Sequence, residues 1–132
     1  ANLHQGAVGV GVDIVSGHSL YAIQHNKKVE QHPDTGFRFD ELVLPHWDEV
    51  LHLAAGCYGM TGLGYFGADI VLDRDSGPVI LELNARPGLA IQIANQVGLR
   101  KRLQMIDDLR PIERDVDERV SLAKQMFGVT MV

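Results

Sequence analysis

Gly67-Ala68-Asp69-Ile70-Val71-Leu72-Asp73, then Arg74-Asp75-Ser76-Gly77, then Pro78-Val79-Ile80-Leu81-Glu82-Leu83-Asn84 reads as a strand, a turn and a returning strand. On the first strand, which starts near Tyr65, Phe66, Ala68, Ile70 and Leu72 alternate and are expected to face a core. On the second, Val79, Leu81 and Leu83 are expected inward, which turns Glu82 and Asn84 outward. With Asp73 opposite Pro78, the count places Asp69 opposite Glu82 and Gly67 opposite Asn84. Two carboxylates then face each other across an antiparallel pair.

Directly opposed residues hold their Cβ atoms roughly 4.5–5.5 Å apart, and like charges there destabilise the pair. Such a pair calls for a raised pKa or a cation between the two groups. Two carboxylates with the Asn84 amide carbonyl form an oxygen-only set, which suits magnesium or manganese. Zinc would want a converging histidine or thiolate. Magnesium completes its shell with water and substrate phosphates, so a partial site of this kind fits a nucleotide. Gly67 opposite Asn84 is expected to leave room above the sheet. The turn Asn84-Ala85-Arg86-Pro87-Gly88 presents a guanidinium able to grip phosphate or carboxylate in bidentate fashion. The plain alternative is a solvated sheet face whose register differs by a residue or two.

Elsewhere, Ala7–Val15 alternates with period two, placing Val8, Val10 and Val12 on one face and Gly9, Gly11 and Asp13 on the other. Ser16-Gly17-His18-Ser19 is a turn, and Leu20–His25 returns as the second strand of a hairpin. Two glycines on one face imply a close approach by a neighbouring segment or a ligand. Residues 26–46 read as polar loop, broken most clearly at His32-Pro33-Asp34-Thr35-Gly36. Trp47–Met60 has helical spacing and ends at Thr61-Gly62-Leu63-Gly64. A helix is expected near Ala90–Asp108, and a shorter one, after Pro111, at about 115–127. The element order predicts an α+β fold, an antiparallel β-sheet with helices packed on one face. We expect a single domain over 1–132, with a core at 1–110 and a helical extension at 111–132.

The chain is 45% hydrophobic and 22% charged, which argues against disorder. Its net charge of -5 argues against a nucleic-acid surface, and Arg100-Lys101-Arg102 reads as a solvated helix face. One cysteine, Cys57, sits in an apolar run and reads as a buried small hydrophobe, which suits a reducing compartment. No apolar stretch is long enough to span a bilayer and no signal core precedes the first strand, so a cytoplasmic location is expected, with no membrane partner. His18, His25, His32, His46 and His52 lack ligand spacing and read as structural or solvated. The opening Ala1-Asn2-Leu3-His4-Gln5-Gly6 runs at once into a strand, as in a chain that begins within a domain.

The segments Gly67–Val71 and Ile80–Leu89 resemble the end of an ATP-grasp domain, most closely the alpha-L-glutamate ligases of the ribosomal-protein glutamylating (RimK) type. The resemblance covers about residues 1–100. It implies that Asp69 and Glu82 hold one magnesium ion and Glu82 and Asn84 a second, against the phosphates of ATP. Asn2, His4 and Gly6, within the stretch Asn2–Ala7, resemble the family's loop at the substrate and phosphate end of the cleft, and are expected to bind the cofactor with Asn84. Arg86 is expected to act in catalysis by steadying an acylphosphate. The implied activity joins a carboxylate substrate to an amine, an amino acid or peptide. The family's other wall carries phosphate-binding lysines, and Lys27 and Lys28 lie in the wrong place to serve. The chain is therefore expected to be part of a larger ligase, and inactive alone. Two rivals remain. One is a non-catalytic binding or assembly module. The other is a metal-dependent nuclease, whose hairpin would carry lysine where Asn84 stands.

Overall fold

The computed structural model describes residues 3–89, 91–109 and 114–129. They fall into two compact units, one of 1–44, 89–112 and 127–132, the other of 45–88 and 113–126. The α+β class and the antiparallel pairing both hold, with the strands divided between two sheets.

In the first unit, strand β1 (Gly9–Val12) pairs antiparallel with β2 (Ser19–Gln24), as the alternation predicted. A two-residue strand, β3 (Lys27–Lys28), adds to the other edge of β2. It follows a tight turn in which His25 and Asn26 both take positive φ, 49° and 61°, the geometry that lets a hairpin close in two residues. The loop expected over 26–46 thus begins with a strand. Ala22, Ile23, Phe39 and Ala94 are the buried apolar residues among those described in this unit.

The glycine face of β1 is covered by protein. Helix α2 (Gln92–Asn95) packs against β1 and β2. A Cβ on Gly11 would collide with the carbonyl oxygen of Ala94 and stand 3.1 Å from Asn95 Oδ1. One on Gly9 would lie 2.7 Å from Leu3 Cδ2. A neighbouring segment, and no ligand, therefore accounts for the two glycines.

The single helix expected near 90–108 is two helices, α2 and α3 (Leu99–Asp107). Gln96 takes a left-handed φ of 53° and Gly98 is extended, so the helical hydrogen bonds stop and restart.

Asp13 organises the β1–β2 turn. It is only 6% exposed. Its Oδ2 accepts from the Ser16 amide at 2.9 Å and the Ser16 hydroxyl at 2.6 Å, and its Oδ1 from the Val129 amide at 3.0 Å. Burial pushes this carboxyl up, but the bonds from the Ser16 hydroxyl and the Val129, Ser16 and Val15 amides outweigh it, leaving it below the ordinary value of 3.8. A depressed folded value means the stabilisation is complete above the ordinary value and is lost as pH falls through the folded one. Urea unfolding at pH 7 should show Asp13→Asn less stable than wild type, by roughly 1–3 kcal/mol. That gap should narrow at pH 3. A gap that stayed constant would contradict the assignment.

In the second unit, helix α1 (Trp47–Thr61) ends where predicted, with Gly62 left-handed and its amide on the Tyr58 carbonyl at 2.8 Å. Asp48 and Glu49 in its first turn complement the helix dipole. Cys57 is 1% exposed, with Sγ 3.2 Å from the Leu53 carbonyl, a packed side chain as expected. Strands β4 (Gly67–Asp73) and β5 (Gly77–Asn84) form the second sheet, and α4 spans Val116–Phe127. No helix of the described residues is long and apolar enough to cross a membrane.

Candidate magnesium and nucleotide site

The β4–β5 register sets Asp69 opposite Glu82 and Gly67 opposite Asn84. This is the predicted pairing, reached by a different route. At the turn, Asp73 pairs with Gly77 rather than Pro78, one residue out of the expected step. Asp73 Oδ1 accepts from the amides of Asp75 and Ser76 at 3.0 and 2.9 Å, and Gly77 takes a φ of 71°, so the loop closes over three residues. The strands stay one step out through Ile70 opposite Ile80. A bulge at Leu81 then inserts the missing residue and restores Asp69 to Glu82.

The bulge also changes which apolar residues face inward. Leu81 is 67% exposed, and Val79 stands on the outer face opposite Val71. Ile80 and Pro78 take the inner positions expected of Leu81 and Val79, while Leu83 faces inward as predicted. A period-two count carried through a bulge fails on one side of it.

Asp69, Glu82, Asn84 and Arg86 are all exposed. Neither carboxylate has a hydrogen bond or ion pair among the described residues, so two acids face each other with no side-chain cation between them. That is the condition a bound hard cation would relieve. Among the described residues no cluster of three or more His, Cys, Asp or Glu converges. The donor set stays at two carboxylates and the Asn84 carbonyl, a partial shell that substrate phosphates and water can complete.

The Asn84 side chain also shapes the backbone that follows it. Its Oδ1 accepts the Arg86 amide at 2.9 Å, which bends the chain into the Arg86-Pro87-Gly88 turn. A carbonyl oxygen has two lone pairs, so one remains for a ligand. The turn folds back on the sheet, since a Cβ on Gly67 would lie 2.9 Å from Pro87 Cβ. The room expected above Gly67 is filled by Pro87, and the glycine is needed for packing. The Arg86 guanidinium has no partner among the described residues and is free to meet an anion.

The loop residues belong to the other unit and are described there. Asn2 lies outside the described residues. His4 is described only by its backbone, in a 3-10 turn over Leu3–Gln5. Gly6 has a φ of 94°, and its carbonyl accepts from Gln24 Nε2 at 2.8 Å. A Cβ there would meet the His25 ring at 3.0 Å, so Gly6 serves the turn. Asp13 was placed in the sequence only on a strand face. Its capping role was readable from the Asp-x-x-Ser-Gly spacing that favours such turns.

The sequence model of the family described as sugar-transfer associated ATP-grasp matches residues 1–108. The chain belongs to that family. ATP-grasp proteins bind ATP with magnesium, in keeping with the oxygen donors of the hairpin. Searches of curated proteins and of solved structures found no match.

Proposed function

We propose that this chain carries the magnesium-binding wall of an ATP-dependent ligase that activates a carboxylate and joins it to an amine, in the manner of the alpha-L-glutamate ligases. The observation that carries this reading is the uncompensated Asp69–Glu82 pair in register, with Asn84 at the strand end. Asp69 and Glu82 hold one magnesium ion, and Glu82 and Asn84 the other, with manganese able to substitute. Bound there, the ions supply charge neutralisation on the ATP phosphates.

The rest of the reaction falls to substrate and protein groups. A substrate carboxylate oxygen attacks the γ-phosphorus, the bond to the bridging oxygen breaks, and ADP leaves. The amine then attacks the acyl carbon, inorganic phosphate departs, and the nitrogen sheds a proton. Arg86 faces the developing oxyanion or the acylphosphate, its guanidinium matched to two oxygens. No protein nucleophile is needed.

A second wall bearing lysines comes from residues beyond these 132. The outer face of the hairpin supports this, because Val71, Val79 and Leu81 are all exposed there and a two-stranded sheet is marginal alone. Hydroxylamine tests the activation step. With magnesium, ATP and the cognate carboxylate, the full-length enzyme should yield a hydroxamate and ADP in equal amounts without any amine. ADP formed with no hydroxamate would rule out the acylphosphate.

A further inference from the structure

Helix α4 begins at Val116, beyond residues 1–108 matched to the family. Charged side chains tie it to α1. Lys124 Nζ bonds Asp48 Oδ1, Arg119 lies over the Tyr58 ring at 4.1 Å, and His52 Nε2 stands 3.2 Å from Asp117 Oδ1. Only Val120 of the helix is fully buried. Twelve residues form a marginal helix without tertiary support, so weak polar ties matter here.

His52 stands out because both its ring nitrogens face acceptors. Nδ1 lies 2.7 Å from the Asp48 carbonyl oxygen, while Nε2 faces the Asp117 carboxylate. Neither partner can donate. A neutral imidazole has one N–H and can satisfy one of them, whereas an imidazolium satisfies both. When neutral, the ring can donate to only one of the two acceptors and turns a lone pair toward the other.

We propose that α4 is a proton-operated latch, closed on α1 when His52 is cationic and loosened when the ring becomes neutral. The other charged groups around it are otherwise engaged. Asp48 is occupied by Lys124, whose hydrogen bond holds that carboxyl below the ordinary range, and Arg119 by Tyr58. On α1, Glu49 bonds His46 at 2.9 Å. Glu118 Oε2 accepts the Asp115 amide at 3.2 Å. Asp48 also feels the charge on His52, but Asp117 is the carboxylate in contact with its Nε2, and histidine is the side chain that changes charge in the neutral range.

Amide hydrogen exchange of the full chain from pH 5.5 to 8, corrected for intrinsic rates, tests this. Protection of α4 should fall about two- to fivefold relative to β4–β5 as pH rises, the scale of an exposed charged contact. In His52→Gln the side-chain amide donates to Asp117 at every pH, so the dependence should disappear. Asp117→Asn, at a position 87% exposed, removes the carboxylate without touching the core and should flatten it too. The same pH course in wild type and both variants would overturn the latch. So would neutral-form ring nitrogen shifts for His52 at pH 5.5.

Discussion

Glu82→Gln in the full-length enzyme is expected to lower ATP turnover by at least about 10²–10³-fold, the scale of losing one preorganised electrostatic contact at a reacting phosphate. Glu82 is assigned to both ions, so its loss should cost more than that of Asp69, which is assigned to one. The side chain is exposed and its charge opposes that of Asp69, so the fold should be unharmed or slightly steadier. Phosphate release measured beside a thermal melt separates the two effects. Turnover at the wild-type rate would refute the metal assignment.

The largest stability loss is expected at Gly11. Alanine there places a methyl group against the Ala94 carbonyl oxygen, with Asn95 Oδ1 3.1 Å away. The carbonyl is backbone, so relief requires α2 to move off the sheet, and Ala94 is among the buried residues of that unit. Overpacking of this kind costs about 1–3 kcal/mol, and a backbone obstacle places Gly11→Ala at the upper end. A urea midpoint shifted by less than about 0.5 kcal/mol, taken with the slope of the transition, would show that α2 is not seated as described. A glycine changed to alanine in open space, such as Gly59, is the control, since no atom stands near its would-be Cβ.

The outcome at the site follows from how local the information was. The alternation on β4 and the Glu-x-Asn spacing on β5 placed Asp69, Glu82 and Asn84 outward, and the structure agrees. Helix α1 was legible because Gly62 marks its end and its apolar residues keep helical spacing. What escaped were features that depend on partners distant in sequence or on backbone detail. The break at Gln96 rests on one left-handed residue, which no pattern of apolar residues reveals. Asp13 bonds Val129, 116 residues away, and the sequence alone does not connect them. The void expected over Gly67 is closed by Pro87, because the Asx turn at Asn84 folds the following residues back. Two errors of one residue, at the Asp73–Gly77 turn and at Leu81, cancelled at the carboxylates. The pairing was right there while the inward residues nearer the loop were wrong.

That cancellation has a practical side. Leu81 gives the hairpin slack, a spare residue held between the turn and the acids. A change of length at the Arg74–Ser76 tip is expected to be taken up at the bulge before it reaches the acids. Asp69 and Glu82 keep their mutual frame because the segment Glu82–Asn84 is anchored from the other end, where Pro87 rests on Gly67. The acids are indexed to the exit of the hairpin and insulated from its tip, which makes the tip the safe handle for labelling this wall.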